Sequence, residues 1–252
     1  MDSTAYYALQ KRIFEENGLA DLLDVSRETP NGAKTVAELP RALTERLSAV
    51  NAVMNLTAVR DDEGMIYLHY ADSLKVSTLI PLSAKVCDVG CGAGFPSLPL
   101  AITRPDLAIL ALDSTDKKVR YVAETAEMLG VTDVLEARTA RAEELGRGDA
   151  REFFDVVTAR AVSNLRMLSE LCLPLVRVGG VFLSMKGANW EAEWRDAEKA
   201  VSALGGALEH VETFEICNGE ASEKRAILVI RKASATPKSY PRAWGKIKNK
   251  PL

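Results

Sequence analysis

Metal-ligating residues are scarce in this chain: its 252 residues hold four cysteines and two histidines, and no Cys-x-x-Cys pair occurs. With too few well-spaced ligands for a structural zinc, no metal is expected. Cys87, Cys91, Cys172 and Cys217 read as free thiols in a reducing cytosol, with Cys87 and Cys91 as small packing residues beside a glycine loop. There is no run of about eighteen apolar residues, which argues against a membrane span. Met1 to Tyr7 offers no basic start followed by an apolar core, so no secretory signal is expected and the cytoplasm is the expected compartment.

The composition, 47% hydrophobic and 27% charged, is the balance of an ordinary globular protein. Its length suits one large α/β domain with an appendage. Net charge is only −3, but between Lys224 and Leu252 there are nine Lys or Arg and no Asp or Glu. The remaining residues therefore set 23 basic against 35 acidic side chains. Such asymmetry suits a polyanionic partner, although a merely solvated basic tail gives the same count.

The pattern along the chain divides it into a helical N-terminal extension (1–83), an α/β domain (84–232) and a basic tail (233–252). Leu43, Leu47, Val50 and Met54 recur at a spacing that lines one helix face. Asp61-Asp62-Glu63 opens a further helical stretch ended by Pro81. Arg27 to Lys34, with Pro30, Asn31 and Gly32, reads as a loop. From Ala84 onward, apolar runs at Ala84–Val89, Leu107–Leu112, Asp133–Ala137, Phe154–Ala159 and Gly180–Met185 alternate with amphipathic stretches. That alternation predicts βαβ units and a mostly parallel sheet covered on both faces. Ala207–Ile216 and Arg225–Ile230 flank Asn218-Gly219 and predict an antiparallel edge hairpin.

The strongest chemical signal is Asp88-Val89-Gly90-Cys91-Gly92-Ala93-Gly94, followed by Phe95 and Pro96. Glycines at a strand-to-helix turn let the backbone bend sharply and admit a ligand where a Cβ would stand. A dinucleotide fingerprint would read Gly-x-Gly-x-x-Gly; here the third glycine comes one residue early. S-adenosylmethionine carries no phosphate, so it needs acids instead. Asp88 is placed to hold its ammonium group, directly or through water, and Asp113, ending the next strand, to accept both ribose hydroxyls. Ligands sit outside the carboxyl ends of such strands, which brings Arg141-Ala142-Glu143, Arg160 and Lys186 to the same mouth. Each of the last two taken alone is more often a surface charge at a strand end; together at one edge they suit contacts to a cofactor carboxylate or substrate phosphate.

The acceptor follows only by elimination. The end of the fourth strand, Asp155 to Arg160, lacks the Asn-Pro-Pro-Tyr type sequence of amino-methylating enzymes. Cys172, between leucines on a helix, is a poor nucleophile for pyrimidine methylation. An atom already nucleophilic when neutral, such as N7 of guanine, needs only orientation and desolvation.

Asn55-Leu56-Thr57, His69 with Asp72-Ser73, the glycine loop, Asp113-Ser114, Arg160-Ala161, Gly179-Gly180 and Lys186-Gly187 occur in this order. With Thr236-Pro237, Tyr240-Pro241-Arg242, Gly245 and Lys250-Pro251-Leu252, this resembles the RsmG family, also called GidB, of bacterial small-subunit ribosomal RNA guanine-N7 methyltransferases. The likeness runs from about Leu39 to the C-terminus. It implies a class I S-adenosylmethionine-dependent methyltransferase fold, Rossmann-like, with a seven-stranded sheet, and modification of one guanosine in the decoding region. Carried over residue by residue, its cofactor contacts fall on Gly90, Phe95, Ala142, Glu143 and Arg160. Three positions depart from the family habit: Cys91 for Ser or Thr, Ser97 for Gly and Ile247 for Pro.

S-adenosylmethionine is therefore expected between Asp88, Gly90, Gly92, Gly94, Phe95, Asp113, Ala142, Glu143 and Arg160. Arg160 and Lys186 are expected at the reacting site, with Asn55 and His69 closing it from the helical side. His69 reads also as a helix-surface residue and Asn55 as a helix cap. Lys238, Tyr240, Arg242, Trp244, Lys246, Lys248 and Lys250 are expected to meet ribosomal RNA by phosphate attraction and base stacking, or the tail folds back as a clasp. A monomer meets every requirement. The competing readings are a methyltransferase acting on a small molecule or protein, and a non-enzymatic ribosome-binding factor that binds the cofactor.

Overall fold

A computed structural model describes residues 1–29, 32–35 and 38–252. Helix α1 (Ser3–Glu16) starts where the Asp2 carboxylate accepts the Ala5 N–H at 2.9 Å, and buries Tyr6, Ile13 and Phe14. Strands β1 (Ser26–Thr29) and β2 (Gly32–Thr35) pair antiparallel, where the sequence reads as a loop. Two four-residue polar strands offer no alternation to detect; Pro30 and Asn31 lie outside the described residues. Arg27 ties the hairpin down, donating to the Ala101 carbonyl at 2.8 Å and to Asp133 at 2.6 Å.

Helix α2 (Leu39–Met54) buries Leu39, Leu43 and Leu47, while Val50 and Met54 of the predicted stripe are half-buried against the same core. After Asp61, whose carboxylate caps Gly64 N–H at 2.7 Å, one helical run continues through α3 (Asp62–Gly64), a π-helical turn (Met65–Ala71) and α4 (Asp72–Leu74). Then strands and helices alternate: β3 (Lys85–Val89), α5 (Ser97–Thr103), β4 (Ala108–Asp113), α6 (Asp116–Leu129), β5 (Leu135–Thr139), α7 (Ala142–Leu145), β6 (Phe154–Arg160), α8 (Leu165–Cys172), β7 (Val176–Gly187) and α9 (Trp190–Ala203). Strands β8 (Gly206–Cys217) and β9 (Ser222–Lys232) form the hairpin, and α10 (Trp244–Asn249) closes the chain.

The seven strands lie in the order β5-β4-β3-β6-β7-β9-β8, parallel except for β9 and β8. Successive strand residues face opposite layers. Val86, Ile109 and Val156 pack with α1, α2 and α6 on one face, while Cys87, Leu110 and Val157 pack with α8 and α9 on the other. The edge hairpin turns through four residues rather than two. The Asn218 side chain accepts the N–H groups of Glu220 (3.2 Å) and Ala221 (2.8 Å) there, as Asn does in such turns. No helix among the described residues is long and apolar enough to cross a membrane.

At Gly205 the chain needs a left-handed φ of 84°, and a Cβ would stand 2.2 Å from the Ser234 carbonyl oxygen. Gly205→Ala is expected to lower unfolding free energy by about 2–3 kcal/mol, measured by chemical denaturation. A change within about 0.5 kcal/mol, the usual range of a surface substitution, would mean that the 205–234 contact is loose.

Candidate functional site

Strand β3 pairs with β4 on one side and β6 on the other, so the chain runs outward in both directions from their carboxyl ends. A crevice belongs at such a switch point, and a cavity of about 480 Å³ opens there. Its floor is the glycine loop. Gly90 has φ 74°, and a Cβ on it would lie 2.5 Å from the Val162 side chain; Gly92 has φ 56°, with only the Gly90 carbonyl, 3.8 Å away, near its missing Cβ. The Gly90 and Cys91 N–H groups donate to the Leu112 carbonyl at 2.7 and 3.0 Å. This ties the loop to the end of β4.

Asp113 also lines the cavity. One carboxylate oxygen accepts Thr115 N–H at 2.8 Å and the other Gly92 N–H at 3.2 Å, with Lys118 Nζ 3.8 Å away. Ala142 and Glu143, both buried, stand across the opening at the start of α7.

Asp88 is arranged differently from the sequence expectation. Its carboxylate is buried, does not line the cavity, and accepts the hydroxyls of Ser97 and Thr158, the latter at 3.2 Å. Burial pushes its pKa up to about 6 against the pull of those hydroxyls. The side chain braces the loop from behind. Gly94 likewise stands off the cavity, its missing Cβ space filled by Leu98. The turn, not the ligand, needs it.

Arg160, Phe95 and His69 form one block of the wall. The His69 and Phe95 rings stack with centroids 4.6 Å apart, and the Arg160 guanidinium lies 5.4 Å from the Phe95 ring centre. Arg160 donates to the Leu68 carbonyl (3.0 Å) and Asp72 (3.1 Å), and its other terminal nitrogen is 3.4 Å from His69 Nδ1. His69 Nε2 pairs with the Thr57 hydroxyl at 2.7 Å. Burial, then the Arg160 cation, lowers the His69 pKa to about 4. Ala161 takes a left-handed φ of 55°, a strained state for a residue with a side chain. It turns the chain so that Val162 reaches Gly90.

A second cavity of about 510 Å³ lies beyond this wall. Thr57, His69, Arg160 and Ala161 line both spaces. Lys186 belongs to the second space alone, with Nζ 2.7 Å from Glu193 and 3.0 Å from the Ser163 carbonyl. Asn55 lines neither space. It is the exposed C-cap of α2, with φ 50°, a conformation that Asn tolerates better than most residues. The residue of that motif at the wall is Thr57, which Asn51 holds through paired bonds of 2.9 and 3.0 Å to its backbone.

The basic tail is ordered against the body. Arg242 grips the buried Glu170 through bonds of 2.6, 2.9 and 3.2 Å. Arg147 and Arg151 donate to the carbonyls of Pro241 and Tyr240, each at 2.8 Å, and Arg166 to those of Pro251, at 2.9 Å, and Leu252. Ile247 is fully buried, Tyr240 and Trp244 are half-buried, and Lys238, Lys246, Lys248 and Lys250 are exposed. Of the side chains expected on RNA, Arg242 is thus engaged within the fold, because an ion pair with a buried carboxylate outcompetes solvent for the guanidinium.

The model of the GidB family, described as rRNA small subunit methyltransferase G, matches residues 37–222. The chain belongs to this family. A ribosomal RNA small subunit methyltransferase G from Staphylococcus carnosus (strain TM300) is 44% identical over 215 residues, covering 82% of this chain and 87% of the relative. One from Bacillus cytotoxicus (strain DSM 22905 / CIP 110041 / 391-98 / NVH 391-98) is 42% identical over 85% of this chain and 92% of its own. Among solved structures, an O-methyltransferase from Bacillus cereus in complex with SAH superposes with a TM-score of 0.53 at 17% identity, covering 75% of this chain and 91% of that one. NSun6 from Pyrococcus horikoshii with SFG gives 0.53 at 16%, over 65% and 52%. Those two share the fold.

In this GidB-family chain sequence reading passes over Asn51, Lys118 and Leu171, and of the Asn55-Leu56-Thr57 motif it gives a site role to Asn55 alone, whereas Leu56 and Thr57 line the cavity. Apolar lining carries no chemical signature. Asn51 is indistinguishable in a sequence from any polar residue late in a helix.

Proposed function

We propose that this protein transfers the methyl group of S-adenosylmethionine to N7 of a guanosine in the decoding region of small-subunit ribosomal RNA. Membership of the GidB family makes it an S-adenosylmethionine-dependent methyltransferase. The observation that carries the choice of acceptor atom is the character of the wall between the two cavities. It presents a permanently charged Arg160, a His69 kept neutral and the Thr57 hydroxyl, which suits an acceptor that has no proton to give up.

The first cavity fits the cofactor. Its floor is the bare backbone of Gly90 and Gly92. Each Asp113 oxygen accepts only one backbone N–H, which leaves lone pairs for two ribose hydroxyls. Asp113 would hold the ribose, the backbone at Gly90 and Gly92 the nearby chain of the ligand, and Ala142 and Glu143 the adenine. When bound, S-adenosylmethionine supplies an electrophilic methyl group on a sulfonium. The protein's part is to orient the base, exclude water and fix the Arg160 charge, which Asp72, Leu68 and Phe95 hold in place.

The test is transfer of labelled methyl to small subunits from cells lacking this gene, with the label mapped by the chain cleavage that N7-methylguanosine permits. One labelled guanosine supports the reading; label on an exocyclic amine or on protein removes it.

A pH profile bears on the same point. His69 is already neutral above about pH 5, given its pKa of about 4. The single-turnover rate is therefore expected to stay flat between about pH 6.5 and 8.5. Any acid limb near pH 6 belongs to Asp88, and its midpoint should not move in His69→Asn. A steep rise through pH 7 that His69→Asn abolishes would make His69 a general base.

A further inference from the structure

The tail and the first cavity meet at one residue. Trp244 is the first residue of α10 and lines the cavity of the glycine loop together with Asp113 and Ala140 to Glu143. The Arg141 guanidinium, which also lines the cavity, stands 5.8 Å from the Trp244 ring centre. Three independent anchors hold this indole in place. The fully buried Ile247 packs into the core one turn further on, Arg242 grips Glu170 on the near side, and Arg166 holds the Pro251 carbonyl on the far side. On the same short helix Lys246 and Lys248 are exposed, and Lys250 follows it. One segment thus presents an aromatic wall inward and cations outward.

We infer that Trp244 is a cofactor-site residue, forming the wall against the adenosine portion of S-adenosylmethionine; this rests on the reading that the cavity takes that cofactor. The adenine ring offers a π face, and aromatic stacking on a base is a recurrent source of affinity.

The probe is S-adenosylhomocysteine, titrated calorimetrically into the full-length protein without RNA. Trp244→Ala is expected to raise its Kd about tenfold, and Trp244→Phe about threefold or less. A Lys246→Gln, Lys248→Gln, Lys250→Gln variant should keep the wild-type Kd while binding small-subunit RNA more weakly. The protein has three tryptophans. With Trp190→Phe and Trp194→Phe in place, the emission of Trp244 alone should shift on saturation, a readout that needs no loss of the indole. A Trp244→Ala Kd within twofold of wild type, or an unmoved emission at demonstrated saturation, overturns the inference and leaves the methyltransferase reading intact. Wild-type protein that binds no S-adenosylhomocysteine overturns both.

Discussion

Arg160→Ala is expected to slow methyl transfer to small-subunit RNA by about 10²–10³-fold, the usual cost of removing one preorganised charge from a reacting site. The guanidinium stands on the wall shared by both cavities, aimed by the Leu68 carbonyl at 3.0 Å and Asp72 at 3.1 Å. Its removal also leaves Asp72, buried on its helix, with Arg225 at 3.3 Å as its remaining cation. Arg160→Lys should recover little, because an ammonium cannot serve the carbonyl, the carboxylate and the Phe95 face together. Single-turnover rates at saturating cofactor, set beside the Kd for S-adenosylhomocysteine, separate the two roles. A variant that loses affinity but keeps its saturated rate would make Arg160 a cofactor holder only.

Arg242→Ala carries the largest expected effect on stability, a loss of about 3–5 kcal/mol. Glu170 is almost wholly buried, with 1% of its side chain exposed, and Arg242 supplies three of its contacts while the Arg242 N–H supplies a fourth at 2.8 Å. The cost arises because a carboxylate would be left in the core without its cation. The double variant Arg242→Ala, Glu170→Leu should therefore recover most of the loss. Equal destabilisation of the single and double variants in urea would show that packing of the tail, and not the charge, is what matters. The same single variant should also weaken S-adenosylhomocysteine binding, since Trp244 is two residues away.

The α/β alternation was legible because buried parallel strands need apolar runs, and the helices between them need one apolar stripe. The place of Asp113 on the cavity wall was legible for a similar reason, since the end of the second strand lies at the carboxyl edge of the sheet. Asp88 was misleading. Its place beside the glycines suggested a ligand, whereas strand alternation turns its side chain inward to Ser97 and Thr158. Asn55 misled through its neighbours, since the helix ends on it and Thr57 reaches the wall. The tail's charge was visible, but its division into a docked Arg242 and exposed lysines was not, because Glu170 lies 72 residues away in sequence. Helices α7 and α10, of four and six residues, are too short to show a stripe.

The partition made by Thr57, His69, Arg160 and Ala161 has a meaning for the RNA itself. If the second recess takes the base and the first the methyl donor, that base leaves its helical stack, and unstacking costs a few kcal/mol when a partner must be given up. On that reading, a nucleotide free to swing out is the better substrate.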